Sequence, residues 1–358
     1  MKSALRIHAG PRARAHLREH GLRAADVRAM PGAAGGPKGL VLNHLDRFIF
    51  GDWLAGSTQS LHLLGASIGA WRMACACLPD PAGALAELAE DYVTQRYDHA
   101  PGRAPTARHV SEVFGRKIEE RLGRRAAEVL SHPTRHLHVF TSHGRGLLAR
   151  QGRLRTPMGY LGAFASNALS RRALGAWIER TVFSDAREAM PLGLSDFRTR
   201  RATLTASNLA PALLASCSIP FWLDAVHDIP GALPGAYWDG GITDYHLHLN
   251  YSSMAEGLVL YPHFQPQIVP GWLDKPWRRR HRASAALDNV IVLSPEPEWI
   301  HRLPGAKLPD RNDVKIFGDD EAARSRAWRR ALAESERLAQ DFADFLQGRL
   351  ALEIHALT

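Results

Sequence analysis

Leu61-His62-Leu63-Leu64-Gly65-Ala66-Ser67-Ile68-Gly69-Ala70-Trp71-Arg72-Met73 runs from an apolar strand-like segment into an apolar helix-like one, with a single serine at the turn. A strand-to-helix turn this tight strains the serine backbone, and the flanking glycines let neighbouring chain approach without a Cβ clash. The hydroxyl is then presented at a helix N-terminus. There, free N–H groups and the helix dipole favour the negative charge that develops when a serine attacks an acyl carbonyl. The letters of Gly65-Ala66-Ser67-Ile68-Gly69 are common ones, and on them alone an ordinary Gly-rich turn is an equal reading.

A similar unit comes before it. Val27 to Met30 reads as a short strand, Pro31-Gly32-Ala33-Ala34-Gly35-Gly36-Pro37-Lys38-Gly39 as a loop, and Leu40, Val41, Leu45, Phe48 and Ile49 recur at helical spacing. Two successive strand-loop-helix units build parallel sheets and bring their loops to one sheet edge. Further strands are predicted at His136 to Thr141, Arg201 to Thr205, Gly257 to Tyr261 and Val290 to Leu293, which makes the fold class α/β. Ala82 to Tyr97 and Val110 to Leu130 read as amphipathic helices of an insertion near 82–131, joined by Pro101-Gly102-Arg103-Ala104-Pro105. Residues 1–25 are basic and weakly patterned, and 263–288 read as an irregular, mobile connection. One long helix is expected from about Glu321 to Leu352, with Trp328, Leu332, Leu338, Phe342 and Phe345 packing on the domain.

Composition narrows the function classes. With 358 residues, 45% hydrophobic and 23% charged, the chain has the make-up of a globular protein, and no apolar run approaches a membrane span. The basic N-terminus has no hydrophobic run after it, so a secretory signal is not expected and a cytoplasmic location is. Cys75 and Cys77 share an apolar helix and Cys217 lies far away, so no disulfide framework, metal or cofactor is expected. A net charge of +9 attracts anionic partners, but no nucleic-acid-binding motif accompanies it. Lys275-Pro276-Trp277-Arg278-Arg279-Arg280-His281-Arg282, with Trp272 nearby, combines basic charge with tryptophan and is a candidate peripheral membrane contact. An exposed loop of mixed role is the competing reading.

A serine nucleophile needs a base and a place for the oxyanion. Gly35-Gly36-Pro37-Lys38-Gly39 offers backbone N–H groups at a helix start and suits an oxyanion hole; a phosphate-binding loop is disfavoured because Lys38 is followed by Gly39 and Leu40. Asp239, after Tyr237-Trp238 and before Gly240-Gly241, can accept a serine proton directly, although Asp-Gly by itself is also a common turn. A Ser-His-Asp triad drawn from Asp224, Asp228, Asp244, His246, His248 and His263 is the alternative.

In order along the chain, Ala33 to Gly39, Gly65 to Gly69, Ala215-Ser216-Cys217-Ser218-Ile219-Pro220-Phe221 and Asp239-Gly240-Gly241 resemble the blocks of the patatin-like phospholipases. The resemblance runs from about residue 26 to 261. It implies a three-layer αβα sandwich with a mostly parallel central sheet and a catalytic domain over 26–262; residues 263–358 lie beyond it and are read as a C-terminal extension with a basic loop, a strand and the long helix. It also implies a serine-aspartate dyad, with Ser67 as nucleophile and Asp239 as its partner. Gly35 and Gly36 would form the oxyanion hole, with Lys38 where the family often has Arg or Lys. The family's opening Asp-Gly is replaced here by Ala33-Ala34. The implied activity is hydrolysis of a lipid or other acyl ester through an acyl-enzyme, with a catalytically inactive lipid-binding relative as the other outcome.

Overall fold

Apolar runs of the sequence become strands of one mixed sheet, flanked by the amphipathic segments between them. The computed structural model describes residues 3–98 and 105–358, so residues 101–104 of the expected helix-joining Pro-Gly segment lie outside the described residues. β1 (Leu5–Ala9) and α1 (Pro11–His20) precede β2 (Val27–Gly32), a 3₁₀ turn over Gly36–Leu42, α2 (Asn43–Phe48), β3 (Leu61–Ala66) and α3 (Ile68–Ala76). Next come α4 (Pro81–Thr94), α5 (Ala107–Ile118), α6 (Ala126–Ser131), β4 (Arg135–Gly144), α7 (Arg155–Leu169), β5 (Ile178–Ser184) and β6 (Thr199–Thr203). α8 (Leu209–Cys217), β7 (Val226–His227), β8 (Ala236–Trp238), α9 (Gly241–Asp244), β9 (Leu258–Pro262) and β10 (Val290–Pro295) follow. α10 (Pro297–Ile300), α11 (Asn312–Phe317), α12 (Glu321–Glu334), α13 (Glu336–Leu346) and β11 (Ile354–Ala356) complete the order.

The strand order is β11-β1-β10-β9-β2-β3-β4-β5-β6, with β8 paired to β4 and β7 to β8. β10, β9, β2, β3 and β4 are mutually parallel, whereas β1 on β10, β5 on β4 and β8 on β4 are antiparallel. Every residue of β3 is buried, as a parallel strand covered on both faces requires. β2 lies between β3, next in sequence, and β9, a much later strand. Loops leaving the carboxyl ends of such strands diverge to open a crevice. A buried ion pair ties α3 to α2: Arg72 Nε and Nη2 donate to Asp46 at 2.7 and 2.8 Å.

Four expectations need correction. Residues 1–25 hold β1, in which Leu5, Ile7 and Ala9 alternate inward with period two, and α1. The expected helix over Val110 to Leu130 is broken into α5 and α6 by a wider turn over Glu119–Gly123. The long final helix is two helices meeting at Ser335, whose hydroxyl donates back to the Leu332 carbonyl at 2.6 Å and also contacts the His44 ring. The expected mobile stretch 263–288 has only short 3₁₀ turns but is pinned from inside. The buried Asp274 carboxylate accepts from Asn167, Arg171 and Arg280 at 2.7 to 2.9 Å.

Candidate active site

Ser67 occupies the turn between β3 and α3 with φ 56° and ψ −131°, a left-handed backbone that costs a side-chain-bearing residue energy. The turn is tight because α3 lies against the end of β2, where a Cβ on Gly69 would fall 1.9 Å from the Gly32 carbonyl oxygen. One neighbouring side chain holds the strained unit. Ser216, at the C-terminal end of α8, accepts from the Ser67 N–H at 2.8 Å and donates to the Phe140 carbonyl at 2.7 Å. The same segment receives the other half of the site, since the N–H groups of Asp239 and Gly240 donate to the carbonyls of Ser218 and Ser216. Ser216→Ala leaves the buried Ser67 N–H and Phe140 carbonyl without this partner, and is expected to cost about 2 kcal/mol of stability. Urea unfolding reads this as a lower midpoint, and a midpoint equal to wild type would show that the hydroxyl does not hold the turn.

Asp239 follows β8 and meets Ser67 directly. Ser67 Oγ donates to Asp239 Oδ2 at 2.8 Å, and the Gly241 N–H donates to Oδ1 at 2.6 Å. Both residues are buried. Burial raises the Asp239 carboxyl from 3.8 to about 6, against the opposing pull of the Arg311 charge and of the bonds from Ser67 and Gly241. Five of the six side chains of the alternative triad are bonded elsewhere. His246 accepts from the Val269 N–H, His263 from the Gln265 N–H, Asp244 pairs with Arg180, Asp224 with Gln151, and Asp228 accepts from the Gly235 N–H. Among the described residues, no histidine lines either cavity at Ser67.

Two cavities meet at Ser67. The more polar, of about 200 Å³, is bordered by Gly35, Lys38, Asp239, Lys275, Asp310 and Arg311. The other, of about 340 Å³, is walled by Ile68, Tyr92, Val110, Phe114, Trp222 and Trp328. Gly35 and Gly36 open the 3₁₀ turn after β2, and the first N–H groups of such a turn have no partner within it. Ala34, which stands where the resemblance expects glycine, is buried and donates its N–H to the Tyr245 carbonyl at 2.9 Å. Gly36 has φ 56°, and a Cβ there would press on the Arg311 guanidinium at 3.3 Å.

Lys38 extends over the Phe264 ring, 5.2 Å from its centre, and its desolvated ammonium titrates below the ordinary lysine value. Lys275 reaches solvent, but its ammonium sits 4.1 Å from the Tyr245 ring centre. Partial burial, with Lys38 and Arg311 close by, pushes it down to about 8. Among the described residues, none of Lys38, Lys275 and Arg311 forms an ion pair. The sequence reading missed Arg311 and the orientation of Lys275 toward the cavity. Arg311 reaches Gly36 only through the path taken after β10, and no local motif marks it. Among the described residues, no group of three His, Cys, Asp or Glu side chains is placed to hold a metal ion. No described helix is long and apolar enough to cross a membrane.

Comparison with known proteins gives three results. No curated protein matches the sequence. Among solved structures, VipD from Legionella pneumophila aligns at 12% identity and a TM-score of 0.37, over 95% of this chain and 70% of that one. Human GIVD cytosolic phospholipase A2 aligns at 13% identity and a TM-score of 0.38, over 97% of this chain and 68% of that one. The patatin-like phospholipase family model matches residues 60–246, a span of more than half the sequence that takes in β3, the Ser67 turn, the serines of α8 and Asp239; the chain belongs to that family.

Proposed function

We propose that the protein is a lipid acyl hydrolase in which Ser67 is the nucleophile and Asp239 its base. The observation that carries this reading is the direct 2.8 Å hydrogen bond between the two side chains, with no imidazole between them. Ser67 Oγ attacks the ester carbonyl carbon as its proton passes to Asp239 Oδ2. The carbonyl oxygen gains the electron pair and is held by the N–H groups of Gly35 and Gly36, with the Lys38 charge behind them. Collapse breaks the ester C–O bond, and the departing alcohol oxygen takes the proton from Asp239. Water then adds to the acyl carbon as its proton passes to the same carboxylate, and collapse breaks the bond to Ser67 Oγ, which takes that proton back and frees the acid.

The two cavities suggest how a lipid lies. The aromatic and aliphatic cavity suits an acyl chain, and the polar one places Lys275 and Arg311 where an anionic headgroup would sit. In this reading 26–262 carries the catalytic pair while 263–358 contributes charge to the substrate site. A cytoplasmic protein that meets membranes peripherally through 275–282 fits it.

The pH dependence tests the assignment. Asp239 is a base only when ionised, so kcat/KM on a short soluble ester should rise with one proton's slope through about pH 6. Arg311 favours the ionised form. Arg311→Met should therefore raise the Asp239 pKa and move the acidic limb to higher pH. A profile flat between pH 5 and 8, or a limb that stays in place in Arg311→Met, counts against Asp239 as the base.

A further inference from the structure

Helix α7 turns an uncovered apolar face to solvent. Leu154 just before it and Met158, Leu161 and Leu169 along it recur at helical spacing and are 74, 60, 70 and 87% exposed. Pro157, Phe164 and Ala165 are exposed among them, and Arg155 is the only charged side chain on the helix. The opposite face is fixed: Tyr160 packs edge-on against Trp238, the residue before Asp239, and Asn167 bonds the buried Asp274. The stripe continues to the mouths of both cavities. Phe164 stacks with Trp277 in the loop that brings Trp272 to the polar cavity, and Tyr160 contacts Phe221, whose neighbour Trp222 walls the apolar cavity.

Arginine dominates the charge around this face, beside which Asp224 accepts from Gln151 at 2.7 Å. From Arg145 to Ile178 the sequence has six arginines and no aspartate or glutamate. Arg150, Arg153 and Arg155 lie at the start of α7, Arg172 just past its end, and Arg278 and Arg279 beside Trp277. All six are exposed, and none forms an ion pair among the described residues. A second copy seated symmetrically on this face would bring arginines against arginines. An apolar stripe with tryptophans and a rim of unpaired arginines instead complements the headgroups and upper acyl region of an anionic bilayer.

We propose that the α7 face, with Phe221, Trp222 and Trp277, is the surface by which the protein seats on an anionic lipid membrane, holding the mouths of the Ser67 cavities at the bilayer. This extends the lipid-hydrolase reading, but its test needs no turnover. Full-length Ser67→Ala protein should co-sediment with vesicles of equimolar phosphatidylglycerol and phosphatidylcholine, bind phosphatidylcholine vesicles more weakly, and lose affinity as salt rises. Adding Met158→Glu and Leu161→Glu should weaken binding by at least about tenfold, with an unchanged thermal melt as the control for folding. Arg278→Gln with Arg279→Gln should weaken binding to the anionic vesicles specifically. The proposal is overturned if the parent protein does not bind, if the glutamate variant binds as well as the parent, or if the parent is a dimer that the glutamate substitutions dissociate. Failure of ester turnover in wild type would defeat the catalytic assignment and leave the vesicle result standing.

Discussion

Ser67→Ala is expected to lose at least about 10⁴-fold in kcat on a soluble carboxylic ester while retaining its fold. Alanine lacks the oxygen that attacks the carbonyl but keeps the main-chain N–H that Ser216 accepts, so the turn between β3 and α3 stays anchored. The left-handed backbone at position 67 is equally costly for serine and alanine, and the substitution adds no strain. Asp239 loses the hydrogen bond that Ser67 donates to Oδ2 and should titrate higher still. Wild-type protein should also react covalently with a fluorophosphonate probe at Ser67, and the variant should not. Comparable turnover by purified Ser67→Ala would place the nucleophile elsewhere.

Asp239→Asn is expected to lower kcat on the order of 10³-fold. The amide matches the carboxylate in size and can still accept from the Gly241 N–H, but it cannot take the Ser67 proton. Stability should move the other way. Because the folded-state pKa of Asp239 is raised to about 6, the native protein holds that proton more tightly than the unfolded chain does. The stabilisation belongs to the protonated form and is lost as pH rises from about 4 through about 6. At pH 8 the carboxylate is buried and charged, and asparagine removes that burden. Asp239→Asn should therefore melt no lower than wild type at pH 8, which separates lost chemistry from lost folding. An active variant, or one that melts well below wild type, would contradict the assignment of Asp239 as a destabilised base.

The sheet was legible wherever apolar runs were unbroken. β3, β9 and β10 are apolar and buried along most of their length, so their positions followed from composition alone. β5 was missed because Glu179 and Arg180 interrupt it. Both are buried, and Arg180 is neutralised by Asp244 and Asp196, partners that sequence does not bring near. β1 was missed because it is five residues long and alternates with Arg6 and His8. The break at Ser335 was hidden within an amphipathic pattern that continues on both sides. Ser67 and Asp239 were singled out as a pair by the ordered blocks of the resemblance, since each local stretch alone also reads as a Gly-rich turn, and the structure brings the two side chains within hydrogen-bonding distance. Ser216 stands in the Ala215 to Phe221 block with nothing in its local sequence to mark a role, and its bond to the Ser67 N–H supplies one.

The placement of β2 between β3 and β9 also governs how the protein is made. A chain leaving the ribosome can pair β2 with β3 early, but the other edge of β2 stays open until Leu258–Pro262 has been synthesised. Such long-range closure folds slowly and exposes an apolar strand edge in the meantime. Arg311 emerges later still. A nascent chain thus holds Ser67 and Asp239 well before the charge beside them arrives, and products truncated before β9 should associate through the open edge of β2 and accumulate as aggregates.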